Sequence, residues 1–378
     1  MKDCFYILLV LLAATSCHMD EPQLAPDCTP SHTLLVYVGT DNNLAGYEQG
    51  KLQAIREGWS GKPTDRIIVY RDTRNAAARL MEISNLAPNK PVREIAVYGT
   101  ENSASPEVFS RVVNDVKAMF PADSYGLLVF SHASGWLPTG ALSSPAKPFD
   151  ARTIIVDGTD EMGLSAFAAA IPDRTFDYIV FEACFMAGIE VAYELRHKTP
   201  LILASSAEIL HPGFAPVYQS SIVKLLTGNI QGFGQQVFNK VLTYAGNSTL
   251  HSATYSVIRT AGLEQLAAFV KENCDFSYKV TISNIQHFDR FGSYRLFFDF
   301  EDYYSRLLET NEHRAELSRL IANCVPWKAA TGEFMTQSGS YSGFTVEQHS
   351  GLTTYVQQSQ FPGLNAEYEK TEWKQAIK

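Results

Sequence analysis

Short apolar runs alternate with longer amphipathic segments along most of this chain. The runs have strand length and are apolar at consecutive positions, which is typical of strands covered on both faces of a sheet. The pattern predicts strands over residues 32–38, 66–70, 127–130, 178–181, 200–204, 252–258 and 351–356, with antiparallel additions over 79–84 and 92–98.

The segments between these runs repeat their apolar residues at helical spacing. Helices are predicted over residues 44–58, 106–120, 163–170, 188–195, 218–226, 235–244, 263–273, 296–308 and 315–324. Strands that alternate with helices predict an α/β fold with a mostly parallel sheet. We expect a core over residues 33–250 and a C-terminal α/β extension, residues 251–378, packed on that core.

Two of the predicted strands end at reactive residues. The run 178–181 is followed by Cys184, and the run 127–130 is followed by His132. If both are parallel strands of one sheet, the two side chains leave it at the same carboxyl edge, where open α/β sheets bind ligands. A neighbouring imidazole can ionise a thiol near neutral pH, so the pattern predicts a Cys/His catalytic pair. The competing interpretation is a small buried cysteine and a structural histidine.

Composition narrows the function classes. The chain has 378 residues, 46% hydrophobic and 19% charged, with a net charge of −9, which argues against a nucleic-acid partner. Phosphate-loop, dinucleotide-binding and zinc motifs are missing from the sequence. Asp157, Asp160 and Glu161 could hold a hard cation or simply be solvated. We therefore predict no cofactor and no metal, and the sequence does not indicate a calcium requirement.

The first 17 residues have the features of an export signal. Lys2 precedes an apolar run over residues 5–14 that is too short to span a bilayer, and small residues lead to Cys17. This resembles a bacterial lipoprotein signal in which Cys17 is lipidated, followed by a polar tether over residues 18–32. The expectation is an exported lipoprotein, anchored in the outer membrane on its periplasmic or cell-surface face.

Export also affects the remaining cysteines. Cys274 and Cys324 could form a disulfide in an oxidising compartment, or they could stay unpaired, because connectivity cannot be read from spacing.

Two short boxes then resemble a known family. His132-Ala-Ser-Gly-Trp136 resembles the His-Gly-Ser-Gly-Trp box of the clostripain-like cysteine peptidases, and Phe181-Glu-Ala-Cys-Phe-Met186 resembles their Asp-Ala-Cys-Leu-Met box. Segments 36–44, 204–214 and 350–355 are similar to further parts of that family, so the resemblance covers roughly residues 33–375. It implies a caspase-like three-layer α/β/α sandwich and an endopeptidase that cleaves protein substrates after Arg or Lys.

The resemblance also implies residue roles. Cys184 would be the nucleophile and His132 the general base and acid, while the backbone N–H groups of Cys184 and Ala133 would hold the oxyanion. Glu182 would line the pocket for a basic P1 side chain, and Glu208 is the next nearby carboxylate. The simpler interpretation of Glu182 is a strand-end carboxylate that caps the following turn.

Two departures from the family pattern favour an alternative. Ala133 stands where the family has Gly, and Glu182 where it has Asp, so the chain could be a catalytically inactive envelope lipoprotein that binds ligands with the peptidase fold.

The resemblance also implies activation by self-cleavage, which is frequent in the family, between the His and Cys strands, here in loop 138–152. The two candidate sites are Arg152 and Lys147. We prefer Arg152, because Lys147 precedes a proline and the bond between them is a poor one for cleavage.

Overall fold

The computed structural model describes residues 32–84, 89–142, 144–146, 154–246, 248–289, 294–336 and 343–378. The strands in these residues are β1 (Thr33–Thr40), β2 (Arg66–Thr73), β3 (Ala78–Ile83), β4 (Val92–Gly99), β5 (Tyr125–Phe130), β6 (Ile155–Asp157), β7 (Asp160–Met162), β8 (Tyr178–Glu182), β9 (Leu201–Ser205), β10 (Thr254–Arg259), β11 (Phe298–Asp299), β12 (Trp327–Ala330), β13 (Glu333–Phe334), β14 (Phe344–Thr345) and β15 (Thr353–Thr354). The helices are α1 (Tyr47–Gly58), α2 (Pro106–Met119), α3 (Leu164–Ala169), α4 (Ile189–Glu194), α5 (Ala215–Leu226), α6 (Ile230–Val241), α7 (Leu263–Asn273), α8 (Phe300–Ser305), α9 (Asn311–Cys324), α10 (Pro362–Tyr368) and α11 (Glu372–Ala376).

A nine-stranded sheet forms the centre of the molecule, in the order β12-β10-β9-β8-β5-β1-β2-β3-β4. Its five middle strands, β9, β8, β5, β1 and β2, are parallel. Antiparallel strands flank them on both sides, β3 and β4 at one edge and β10 and β12 at the other. The predicted mostly parallel α/β sheet is confirmed.

Both faces of this sheet are covered, which explains why its strands are apolar at consecutive positions. Along β1, Leu35 and Tyr37 point into a core shared with α2, α3 and α4. Leu34 and Val36 point into a second core shared with α1, α5 and α6. The predicted three-layer α/β/α sandwich is therefore confirmed.

Local signals set the ends of α2. The Ser105 side chain accepts a hydrogen bond from the Val108 N–H at 3.3 Å, and Pro106 occupies the first turn, where its missing N–H costs nothing. The apolar side chains that this helix buries lie at helical spacing, at Phe109, Val112, Val113 and Val116.

The predicted helix over residues 296–308 is wrong in its first four residues. Asp289 accepts hydrogen bonds from the N–H groups of Leu296 and Phe297, at 3.0 and 3.1 Å, and β11 follows in extended form. Helix α8 begins only after Asp299, whose side chain caps it. The late strand predicted over 351–356 shrinks to β15, which pairs with β11.

The chain after residue 250 contributes to the central sheet. Strands β10 and β12 both lie in it, although the boundary that we drew at residue 250 stays a prediction. Within the described residues, no helix combines the length and apolar character needed to cross a membrane. The predicted signal, the lipidation site at Cys17 and residues 18–31 of the predicted tether lie outside those residues.

Candidate active site

Strand register brings the two predicted catalytic residues to one edge. Strands β5 and β8 are parallel neighbours, and Phe130 is paired with Glu182. His132 and Cys184 each lie two residues beyond this pair in the sequence. Both side chains therefore leave the carboxyl edge of the sheet from adjacent strands, as expected for a ligand site in an open α/β sheet.

The turns that carry these residues also contact each other. Gly135 has φ +64°, and a Cβ atom at this position would lie 2.6 Å from the Phe185 carbonyl oxygen. Phe185, which follows the cysteine, has φ +60°, a conformation that bulky residues rarely adopt. Its N–H donates to the Ala207 oxygen at 3.0 Å and its ring stacks on Phe297 at 4.3 Å. The cysteine turn therefore packs on the histidine turn at Gly135 and is fixed on its other side by Ala207 and Phe297.

His132 and Cys184 line one cavity of about 450 Å³, together with Lys51, Glu182 and Glu208. Both catalytic candidates are partly exposed, so a substrate can reach them. The Ile209 N–H donates to the Cys184 sulfur at 3.4 Å. Such a donor stabilises negative charge on sulfur, which favours the thiolate.

The imidazole of His132 is oriented by an amide. Its Nε2 lies 2.5 Å from the Asn43 Oδ1 oxygen, an acceptor, so Nε2 carries the proton and Nδ1 has the free lone pair. Burial holds the pKa of His132 below its ordinary value, and the nearby Glu208 carboxylate opposes this shift. The ring is therefore neutral at pH 7 and can accept a proton.

The predicted pocket acid, Glu182, lines the cavity but is fully engaged by the protein. It is buried and forms an ion pair with Lys51. Glu208 is also largely buried and lines the same cavity. The structure thus brings together the four predicted residues Cys184, His132, Glu182 and Glu208.

Ala133, which stands where the family has Gly, does not have the left-handed backbone in which its methyl group would be strained. The non-glycine residues with positive φ in the described chain are Asn75, Lys90, Arg174 and Phe185. The extra methyl group is therefore accommodated, and the assignment of the Ala133 and Cys184 N–H groups to the oxyanion stays a prediction. The self-cleavage candidates Arg152 and Lys147 lie outside the described residues.

The remaining described cysteines differ chemically from Cys184. Cys274 and Cys324 are unpaired, which decides between the two alternatives left open for them. Burial raises the pKa of Cys274 to about 12 and that of Cys324 to about 11. Both thiols stay protonated near neutral pH and are inert.

The acidic residues of the β6–β7 hairpin have protein partners. Asp157 accepts a hydrogen bond from the Ser103 hydroxyl at 3.0 Å, and Asp160 accepts one from the Asn102 amide at 2.7 Å. Burial raises the pKa of Glu161. Among the residues that the structure describes, no group of three or more His, Cys, Asp or Glu side chains is placed to hold a metal ion.

Sequence reasoning missed two residues of the site, Asn43 and Lys51. Strand β1 lies beside β5 in the sheet, so the residues just after β1 belong to the same carboxyl edge. Asn43 follows the end of β1 by three positions, where the sequence alone indicates only a turn before the next helix. That strand order was the missing information, since Asn43 and His132 are 89 positions apart.

Comparisons with known proteins agree with this geometry. The clostripain family, Peptidase C11, matches residues 36–346. Clostripain from Hathewaya histolytica is 24% identical over 216 residues, which is 48% of this chain. The matched part spans only 40% of the length of that curated relative.

Two solved structures match over nearly the whole chain. An inactive zymogen C11 protease from Parabacteroides distasonis is 29% identical with a TM-score of 0.81, covering 93% of this chain and 99% of that one. A secreted C11 cysteine protease from Bacteroides thetaiotaomicron, solved with an irreversible peptide inhibitor, is 23% identical with a TM-score of 0.76, covering 92% and 99%. The second likeness supports the fold.

The match of the family over most of the chain, the sandwich fold and the adjacent Cys184 and His132 turns agree with one another. The chain belongs to the clostripain family of cysteine peptidases.

Proposed function

We propose that this protein is a cysteine endopeptidase that hydrolyses protein or peptide substrates with Cys184 and His132. The observation that carries the proposal is the register of β5 and β8, which sends both side chains from neighbouring strands into one cavity. The contact between Gly135 and Phe185 keeps the two turns together. A thiol and a neutral imidazole on adjacent turns are the elements of nucleophilic catalysis.

The reaction follows from these groups. Neutral His132 removes the proton from the Cys184 sulfur, and the thiolate attacks the carbonyl carbon of the scissile bond. The N–H groups of Cys184 and Ala133 stabilise the developing oxyanion. The imidazolium then protonates the leaving amine, and a water molecule, deprotonated by His132, hydrolyses the thioester. Asn43 keeps the ring oriented through these steps.

A modest preference for Arg or Lys over uncharged side chains at P1 is the finer part of the proposal. Glu182 is paired with Lys51, and Glu208 is a second carboxylate in the lining of the same cavity, where its charge attracts a basic side chain. The backbone of Ala133 is not in the left-handed region, so the replacement of glycine does not strain this turn. The main structural reason to consider an inactive binding protein is therefore removed.

Fluorogenic peptides with Arg, Lys or Leu at P1 test this function. We expect cleavage by the mature wild-type protein and none by Cys184→Ala or His132→Ala, each shown by circular dichroism to be folded. An irreversible peptide warhead should add one inhibitor mass to Cys184. Equal rates for wild type and Cys184→Ala, or no cleavage together with no labelling, would contradict the proposal.

We further propose that the enzyme processes itself after Arg152, with Lys147 as the second candidate. The Parabacteroides distasonis relative is described as an inactive zymogen, which supports an activation step in this family. Intact mass after incubation should show two fragments for wild type and a single chain for Cys184→Ala. A single chain in both samples would argue against self-processing.

We also propose that Cys17 is lipidated and anchors the protein in the outer membrane, with residues 18–32 as a tether. The apolar run and the small residues before Cys17 support this. Wild type should incorporate labelled palmitate in a bacterial host and partition into detergent, and Cys17→Ser should do neither. Incorporation by both would contradict the assignment.

A further inference from the structure

Lys51 of helix α1 reaches the buried end of the cavity. Its ammonium group forms an ion pair with Glu182 and donates a hydrogen bond to the Pro212 carbonyl oxygen at 3.0 Å. It also lies 4.4 Å from the centre of the Phe130 ring, a favourable position for a cation. The side chains of Lys51 and Glu182 are 7% and 1% exposed. A cation of the protein itself therefore occupies this end of the cavity.

The Glu182 carboxylate has further donors. One oxygen accepts from the Phe214 N–H at 2.7 Å, and the other accepts from the Tyr218 hydroxyl at 2.5 Å. The backbone packs directly on this group, since a Cβ atom on Gly213 would overlap with the carboxylate. Buried charges persist when they are paired and hydrogen-bonded, as this one is. Glu182 thus serves as part of an internal ion pair.

The ion pair between Lys51 and Glu182 changes the charge that a substrate side chain meets in the pocket. The charges of Lys51 and Glu182 cancel, and a substrate guanidinium or ammonium that approached Glu182 would meet Lys51, an unfavourable contact between like charges. Apolar side chains, including Leu44, Tyr47 and Leu210, line the same cavity. Burial lowers the pKa of His132 and the Glu208 carboxylate opposes this shift, so the charge of Glu208 acts at the catalytic end.

We propose that Lys51 determines the P1 specificity of this peptidase by neutralising Glu182, so that the pocket accepts uncharged side chains such as Leu or Met almost as well as Arg. The inference rests on the proposed peptidase function and goes beyond it, because it assigns the control of substrate class to one residue. Substrate side chains would then be bound mainly by apolar contact, with Glu208 adding a modest preference for a positive charge.

The wild-type enzyme tests the first consequence. Peptides that differ only at P1 should give kcat/KM values for Leu and Arg within about tenfold of each other. A preference for Arg above about tenfold would overturn the proposal, and it would do so even if no variant of Lys51 folded.

Variants test the charge directly. Lys51→Met leaves Glu182 able to pair with a substrate cation, so the ratio of kcat/KM for Arg over Leu should rise by at least about tenfold. The double variant Lys51→Met with Glu182→Gln keeps a similar shape without charge, and its ratio should stay at the wild-type value. Lys51→Arg, which keeps the cation, should also leave the ratio unchanged. Both kcat/KM values in the ratio are measured on the same variant, so a loss of active protein lowers them equally and does not change the ratio.

The outcomes distinguish a failure of the role assigned to Lys51 from a failure of the proposed peptidase function. An unchanged ratio in Lys51→Met, or an equal rise in the double variant, would overturn the role of Lys51 while leaving the peptidase function intact. The same ratio can be measured as the rate of Cys184 labelling by warheads with Arg or Leu at P1. If wild type shows neither cleavage nor labelling, the proposed function fails, and the specificity assignment fails with it.

Discussion

At the scale of single residues, the contact between Gly135 and the Phe185 carbonyl connects the two catalytic turns. Gly135→Ala adds a methyl group 2.6 Å from that oxygen, in a backbone with φ +64°. The cysteine turn must then move away from the histidine turn. Because small displacements of reacting groups are costly, we expect kcat/KM to fall by about a hundredfold.

Gly140→Ala is the matched control. Gly140 has φ +74° but nothing within 4 Å of an added Cβ atom, so it has the same left-handed strain without the contact. Its kcat/KM should stay close to that of wild type. Equal losses in the two variants would show that backbone strain alone, and not the contact between the turns, explains the effect.

The catalytic residues were predictable from local sequence, and their partners were not. Cys184 and His132 each follow an apolar run of strand length, which is a signal contained in a few neighbouring residues. Lys51 and Glu182 are 131 positions apart, and only the packing of α1 against the sheet brings them together. A change of pocket charge that depends on such a pair leaves no motif in the sequence.

At the scale of elements, Glu190 connects helix α4 to the late strand β15. Its carboxylate accepts hydrogen bonds from the Tyr355 N–H at 2.9 Å and from the Thr354 hydroxyl at 3.1 Å. Burial raises the pKa of Glu190 from 4.5 to about 7. The folded protein therefore keeps a proton on this group between those pH values, where the unfolded chain releases it.

This sets the sign of a pH effect on stability. As pH rises from 4.5 to about 7, ionisation of Glu190 favours the unfolded chain, so wild type should lose up to about 3 kcal/mol from this group. Glu190→Gln has no carboxyl group to ionise at this position, so its free energy of unfolding does not fall for this reason. In urea unfolding, the stability of the variant relative to wild type should increase over this pH range and level off above it. A difference that does not vary with pH would contradict the assignment.

Elements were predicted well where apolar residues repeat at helical spacing over several turns. They were predicted poorly where contacts with distant parts of the chain determine the backbone conformation. Helix α7 has the predicted bounds, because its apolar positions repeat over three turns. Residues 296–297 instead donate to Asp289, and β11 pairs with β15, so an apolar run that resembles a helix is partly extended. Strands of two residues, such as β13 and β14, are too short to carry a periodic signal.

At the scale of the whole molecule, the C-terminal extension packs on the helix behind the catalytic turn. Trp373 of α11 is fully buried, lies 5.5 Å from the Tyr193 ring of α4, and donates to the Tyr304 hydroxyl at 3.0 Å. The extension also supplies β10 and β12 to the central sheet. We therefore expect the core and the extension to unfold together.

Trp373→Ala should lower the free energy of unfolding by about 3–5 kcal/mol, because it leaves a large cavity between the extension and α4. Tyr278→Ala is the control, since Tyr278 is 60% exposed and its removal should change stability by less than about 0.5 kcal/mol. Denaturant unfolding followed by fluorescence and by circular dichroism should give one coincident transition in each case. Two separate transitions would show that the extension unfolds independently.

The central claim is that the fold places an imidazole beside the Cys184 thiol, and the rate of Cys184 alkylation by iodoacetamide as a function of pH measures this directly. Peptide mass spectrometry distinguishes Cys184 from the buried, protonated Cys274 and Cys324. In wild type we expect rapid alkylation well below pH 8.5, where an ordinary cysteine is mostly protonated. In His132→Ala the rate should instead follow the titration of an isolated thiol. Superimposable profiles for the two proteins would contradict the pairing on which the proposed catalysis depends.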